Sequence, residues 1–165
     1  WIEANSFANE MEACMYMGAD KLEDGTLKSY LDFTPQEVQE KSIFSIKQDV
    51  KLLGNYIYQL GTQKLKEIFA ERGIRPSEID HFLPHISSYF FQDKMYEEMK
   101  RVDMDIPLEK WFTNLGTKGN VGAASIYMIV DELFNSGRLK KGERIILAVP
   151  EISRFSYVFA HLTVC

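Results

Sequence analysis

The spacing of apolar residues changes period several times along the chain, and each change marks an element. Between Ser42 and Arg72 the residues Ile46, Val50, Leu53, Ile57, Leu60, Leu65, Ile68 and Phe69 recur near a helical repeat, and Gly73 stands where a left-handed residue ends a helix. One long helix is predicted there, with Gly54 and Gly61 as points of close packing. After Pro76-Ser77-Glu78 the chain restarts, and Ile79-Asp80-His81-Phe82-Leu83-Pro84 reads as a short buried strand stopped by a proline. His85 is therefore expected just past the carboxyl end of a strand. Ser87 or Ser88 then caps a second helix to about Val102, which turns Phe91, Met95, Met99 and Val102 to one side. Trp111 to Leu115 reads as a short strand, and Gly116-Thr117-Lys118-Gly119-Asn120 as a turn. A third helix from about Gly122 to Asn135 follows, ended by Gly137. Arg144 to Val149 and Phe155 to Val164 carry the β-branched and aromatic residues of two strands joined through Pro150 to Arg154. Residues 1–41 are patterned less clearly, with Asp24-Gly25 as a hairpin signal.

Strands alternating with helices in this order predict an α/β domain with helices on both faces of one sheet. In such sheets ligands gather beyond the carboxyl ends of the strands, where His85 and the helix-entrance residue Asn120 are expected. Composition sets the limits. With 165 residues, 45% of them hydrophobic, the chain suits a single domain, 1–165. A net charge of −5 opposes a nucleic-acid partner. No apolar run approaches the ~20 residues of a membrane span, so no membrane partner is expected and the reading is cytoplasmic. Cys14 and Cys165 have no metal-ligand spacing, and no metal site is expected. The chain opens on Trp1 rather than Met, which suggests a fragment.

Several of these segments resemble one known family. Gly119-Asn120-Val121-Gly122-Ala123-Ala124-Ser125, then Asp131-Glu132-Leu133, then Gly137 through Leu147 are similar to the G-N-T-S-A-A-S motif, its helix and the G-R-[IL]-K-x-G-D segment of 3-oxoacyl-acyl-carrier-protein synthase III. Asp80 through His85 resembles the strand ending in that family's P-H-Q-A-N. The likeness spans roughly residues 42 to 165. It implies the C-terminal half of a thiolase fold, with a mixed five-stranded sheet, whose N-terminal half carries the nucleophilic cysteine. It implies decarboxylative condensation of an acyl thioester with malonyl-acyl-carrier-protein, in a homodimer. Acyl-CoA and carrier protein would be substrates, with no cofactor. His85 and Asn120 would be the catalytic pair, donating N–H to a thioester oxygen as negative charge develops on it.

Plainer readings stand beside these. Asn is a favoured helix N-cap for its own sake, and a lone histidine is often a core residue bonded to a carbonyl. The sequence also departs from the family. Pro84-His85-Ile86-Ser87-Ser88-Tyr89-Phe90 lacks the motif's glutamine, its asparagine and its carrier-docking arginine. A glycine run whose N–H groups line the oxyanion hole is replaced by Pro150-Glu151-Ile152-Ser153-Arg154-Phe155. A non-catalytic partner with the same fold is therefore the alternative. Cys14 lacks the small neighbours of the family's nucleophile turn and reads as a buried apolar residue. The order Cys14, His85, Asn120 mimics a papain-like protease without that family's flanking signatures. Arg138, Lys140, Lys141 and Arg144 form the dense basic cluster, either a favourable helix-end placement or a carrier-docking site.

Overall fold

The computed structural model describes residues 1–165. In chain order it has β1 (Ile2–Ser6), β2 (Met15–Tyr16), β3 (Ala19–Lys21), β4 (Leu27–Ser29), α1 (Pro35–Glu40), β5 (Lys47–Gln48), α2 (Val50–Arg72), β6 (His81–Pro84), α3 (Tyr89–Arg101), α4 (Leu115–Lys118), α5 (Ser125–Asn135), β7 (Arg144–Glu151) and β8 (Ser156–Thr163). The main sheet runs β1-β8-β7-β6, with β6 parallel to β7 and the other pairs antiparallel. Trp111 adds a single parallel bridge to Phe82 outside β6, the position of a fifth strand.

Strand β7 has neighbours on both sides, and its two faces divide the core. Ile146 and Ala148 join Phe82, Phe159 and Tyr157 beneath α2 and α3. Ile145 packs with Leu83 against Ile126, Ile129 and Leu133 of α5. Helices therefore cover both faces, as the alternating order of elements predicts. Pro150 fits late in β7 because β6 has already ended at Pro84, opposite Ala148, so no partner strand requires its missing N–H.

α2 is shorter than its apolar period suggests. Asp49 caps it, accepting the Leu52 N–H at 2.9 Å, while Ser42 turns at φ 49 and Lys47–Gln48 pairs with β2. Ile46 matches the helical repeat but is 69% exposed, so a chance spacing extended the pattern beyond the helix. At the other end Gly73 takes φ 63, as expected of a left-handed terminus. The third predicted helix begins as a 3₁₀ turn, Gly122–Ala124, before α5. Thr113–Leu115 does not continue the strand at Trp111. The Asn114 carbonyl accepts the N–H groups of Thr117 and Lys118, which winds the chain into α4. Among residues 1–41 the Asp24-Gly25 hairpin is present as β3 and β4, and α1 carries a full capping box between Thr34 and Glu37.

α5 covers β6 and part of β7 only. On that same face Val158 and Leu162 of β8 and Ile2 of β1 remain exposed, as do Tyr127 and Phe134 on the outer side of α5. No helix is long and apolar enough to cross a membrane.

Gly61 gives the contact between α2 and the sheet a sharp test. The Tyr157 ring lies over it, held by a 2.7 Å bond from its hydroxyl to the Ile57 carbonyl, and a Cβ at Gly61 would stand 2.6 Å from a ring carbon. Replacing glycine by alanine within a helix ordinarily gains up to about 1 kcal/mol. Forcing an extra carbon into a close-packed contact costs about 1–3 kcal/mol, so overpacking wins. Gly61→Ala should lower the urea midpoint of unfolding; an unchanged or raised midpoint would show that Tyr157 yields freely.

Candidate active site at the carboxyl end of the sheet

His85 is the first residue after β6. Its backbone N–H bonds the Ala148 carbonyl at 2.8 Å, extending the parallel ladder by one step and fixing where the side chain starts. The ring is half-buried, and Nδ1 is enclosed with no hydrogen-bond partner. Enclosing an N–H without an acceptor costs more than enclosing a lone pair, which favours the tautomer with the proton on Nε2. Nε2 is not among the enclosed, unpartnered atoms and faces the accessible side. Burial also lowers the His85 pKa, which favours the neutral ring. The site thus presents a donor that is not a cation.

Asn120 is exposed in the loop between α4 and α5. Its Oδ1 accepts the Gly122 N–H at 3.0 Å, leaving the side-chain N–H groups as the free end. Gly119 and Gly122 on either side take φ 73 and φ 63, a backbone that side-chain-bearing residues adopt at a cost. Topology brings Asn120 to the His85 end of the sheet. α5 ends at Asn135, and only the connection Ser136 to Glu143 separates it from the start of β7. The C-terminus of α5 is thus near the amino ends of β6 and β7, and its N-terminus near their carboxyl ends. His85 and Asn120 share that end without a hydrogen bond between them.

The turn after β7 is internally bonded. Glu151 accepts the Ser153 N–H at 2.7 Å and the Arg154 N–H at 3.3 Å, so a carboxylate occupies backbone donors of this loop. Ser153 is tied to the N-terminal segment through its own carbonyl, which accepts the Cys14 N–H, and through its hydroxyl, which bonds the Met15 carbonyl. Phe155 closes the turn at φ 54 with its ring fully buried. That backbone costs about 1–2 kcal/mol, and burying a phenyl ring returns about 1.5–3 kcal/mol, so the turn holds.

The remaining candidates sort by position. Cys14 is fully buried, its Sγ donates to the Asp49 carbonyl at 3.2 Å, and burial raises its pKa, the reverse of what a nucleophile needs. His81 Nε2 lies 2.9 Å from Glu143 at the amino end of β6, and its bond lowers the Glu143 pKa. Arg138, Lys140, Lys141 and Arg144 sit between α5 and the start of β7, also at that amino end. Ala148, which holds His85, lies about 13 Å farther along the strand. That placement fits cations following a helix C-terminus. Two polar residues escaped the pattern in the sequence. Asn114 is buried and donates to Glu132 of α5 at 2.8 Å, and only the motif segment Asp131-Glu132-Leu133 hinted at it.

Residues 69–149 match the family described as 3-oxoacyl-[acyl-carrier-protein (ACP)] synthase III C terminal. The beta-ketoacyl-[acyl-carrier-protein] synthase III of Sulfurovum sp. strain NBC37-1 is 30% identical over 159 residues, covering 86% of this chain and 45% of the relative. The chain is a C-terminal domain of the 3-oxoacyl-acyl-carrier-protein synthase III family. The Campylobacter jejuni RM1221 synthase III is 29% identical over 123 residues, covering 72% of this chain and 36% of its own length. The chain therefore spans less than half the length of these relatives. Among solved structures, synthase III from Pseudomonas aeruginosa PAO1 covers 99% of this chain and 43% of its own, with a TM-score of 0.70 and 14% identity, a likeness of fold. OleA from Xanthomonas campestris matches 72% of this chain and 33% of its own, with a TM-score of 0.63 and 25% identity. The α/β, thiolase-like architecture is thus common to this domain and these structures.

Burial lowers the pKa of His85, and burial followed by the nearby Arg144 charge lowers that of His161. Below the ordinary imidazole value of about 6.5 the unfolded chain therefore binds more protons than the folded one. Their contribution to stability is complete above that value and is lost as pH falls toward the depressed folded values. Urea midpoints should drop between about pH 7.5 and pH 5.5, and the drop should flatten in a His85→Phe, His161→Phe double variant. An identical slope in the double variant would assign the pH dependence elsewhere.

Proposed function

We propose that this domain supplies the oxyanion-stabilising half of a condensing enzyme that joins an acyl thioester to malonyl-acyl-carrier-protein. In that reaction a cysteine thiolate first attacks the carbonyl of a thioester such as acyl-CoA, forming the acyl-cysteine thioester as the original C–S bond breaks and the CoA thiolate leaves. The bond between the malonyl carboxylate and its α-carbon then breaks, CO₂ leaves, and the electron pair moves into the thioester as an enolate. His85 Nε2–H and Asn120 Nδ2–H donate to the enolate oxygen. The α-carbon attacks the acyl carbonyl and releases the thiolate. The observation that carries this reading is the His85 ring at the end of β6, with Nδ1 enclosed and burial lowering its pKa, surroundings that favour a neutral Nε2–H donor where a cationic imidazole would protonate the carbanion. No cofactor is required by this chemistry.

The nucleophile belongs to the other half of the family's fold. Cys14, locked in the core, is unsuited to the role, so the domain should be inactive alone. The bare apolar face of Ile2, Val158, Leu162, Tyr127 and Phe134 is the surface that half would cover. In the whole enzyme, acyl-CoA and carrier protein would be the partners and a homodimer the working state. The loop bonded by Glu151 favours a second reading, a partner subunit that keeps the fold without condensing, because backbone donors at the site's edge are already engaged.

Mass spectrometry after incubation with acyl-CoA and malonyl carrier protein separates these readings. The domain alone should gain no acyl group. Joined to the nucleophile-bearing half it should be acylated, and His85→Ala or Asn120→Ala should leave acylation intact while condensation falls by about 10²–10³-fold. Equal loss of both steps contradicts the assigned roles, and acylation without any condensation by the unaltered protein favours the non-catalytic partner.

A further inference from the structure

Asn120 has little support of its own. It is exposed, its flanking glycines are conformationally free, and its Oδ1 bond to Gly122 is local. Its position is therefore set by what holds the two ends of the loop. On the upstream side the Gly119 N–H bonds the Leu115 carbonyl at 2.9 Å, which joins the loop to α4. On the downstream side the Val121 N–H bonds Ser125 Oγ at 3.1 Å, which joins it to the first residue of α5. α4 is a single turn and cannot hold a fixed place by its own hydrogen bonds.

A cross-tie between α4 and α5 supplies that anchor. Asn114, only 6% exposed, accepts the Thr117 N–H at 3.0 Å, the Lys118 N–H at 2.9 Å and the Thr117 hydroxyl at 3.1 Å on its backbone carbonyl. Its side-chain Nδ2 reaches across to Glu132 Oε2 on α5 at 2.8 Å, a hydrogen bond to a carboxylate. One residue thus gathers the short helix and fastens it to the long one. The chain from Asn114 to Glu132 becomes a closed loop with Asn120 at its free end.

We infer that Asn114 and Glu132 are positioning residues, whose bond between α4 and α5 sets where the Asn120 amide points. The inference rests on the reading of Asn120 as an oxyanion donor only for its catalytic consequence; the geometry itself is tested without turnover. A donor displaced by about 1 Å can lose on the order of 10²-fold in rate, so a cross-tie this close to the loop matters to the chemistry.

The experiment is nuclear magnetic resonance on the ¹⁵N-labelled domain, following the Asn120 side-chain amide pair, identified by its loss in Asn120→Asp, and the backbone amides of Gly119 and Val121. In Glu132→Ala these signals should shift and the Val121 amide should exchange about tenfold faster, while the amides of β7 and β8 stay in place. Glu132→Gln keeps an acceptor for Asn114 and should restore the original positions. Should Glu132→Ala fail to fold, Glu132→Asp retains the charge without the reach and should displace the same signals. Asn120 and Val121 signals that remain unmoved in Glu132→Ala or in Glu132→Asp, or that move as far in Glu132→Gln, would overturn the inference. Loss of Asn120's effect on condensation would instead sink its donor role and leave the cross-tie standing.

Discussion

The parallel pairing of β6 with β7 is the constraint on which the rest of the domain depends. Two parallel neighbours cannot be joined by a tight turn, so the chain leaving β6 must travel back to the amino end of the sheet before β7 begins. α5 is the last leg of that return, which compels its N-terminus to lie where β6 ended. His85 departs from that end and the chain re-enters through Asn120. The two residues lie at one end of the sheet because of the sense of a single strand pair, although a long crossover separates them in sequence.

The parts of the fold that depend on local pattern are legible in the sequence. β7 and β8 announce themselves through dense β-branched and aromatic residues, α5 through the turn before it and Gly137 after it, and the end of β6 through Pro84. Ile46 was misleading because an exposed apolar residue happened to fall on a helical repeat, and an unmarked turn at Ser42 broke the helix from outside the pattern. α1 was the opposite case. Its capping box was present in Thr34 and Glu37, yet its residues bury no face and leave no hydrophobic period to read.

The site was legible to a lesser degree. His85 and Asn120 could be named from motif and strand end, but the tautomer of His85 depends on what encloses Nδ1, a property of packed neighbours. The Glu151 turn and the bond from Asn114 to Glu132 join groups whose geometry only the folded backbone defines. Asparagine and glutamate are ordinary surface residues in a sequence, and nothing in their spacing shows that one of them is buried. Burial of a polar group leaves no mark in the spacing of apolar residues, which records only what those residues do.

The lone bridge at Trp111 has a bearing on assembly. Phe112 donates its N–H to the Phe82 carbonyl, and the indole of Trp111 packs 4.8 Å from the Phe82 ring while its own N–H is held by Ile106. This occupies the outer margin of β6 at Phe82, where an incoming strand would have to pair. The opposite margin, β1, has a partner on one side only. The main sheet therefore has one rim engaged at Phe82 and one open along β1, and copies that joined β1 to β1 would use up that edge in a single pairing.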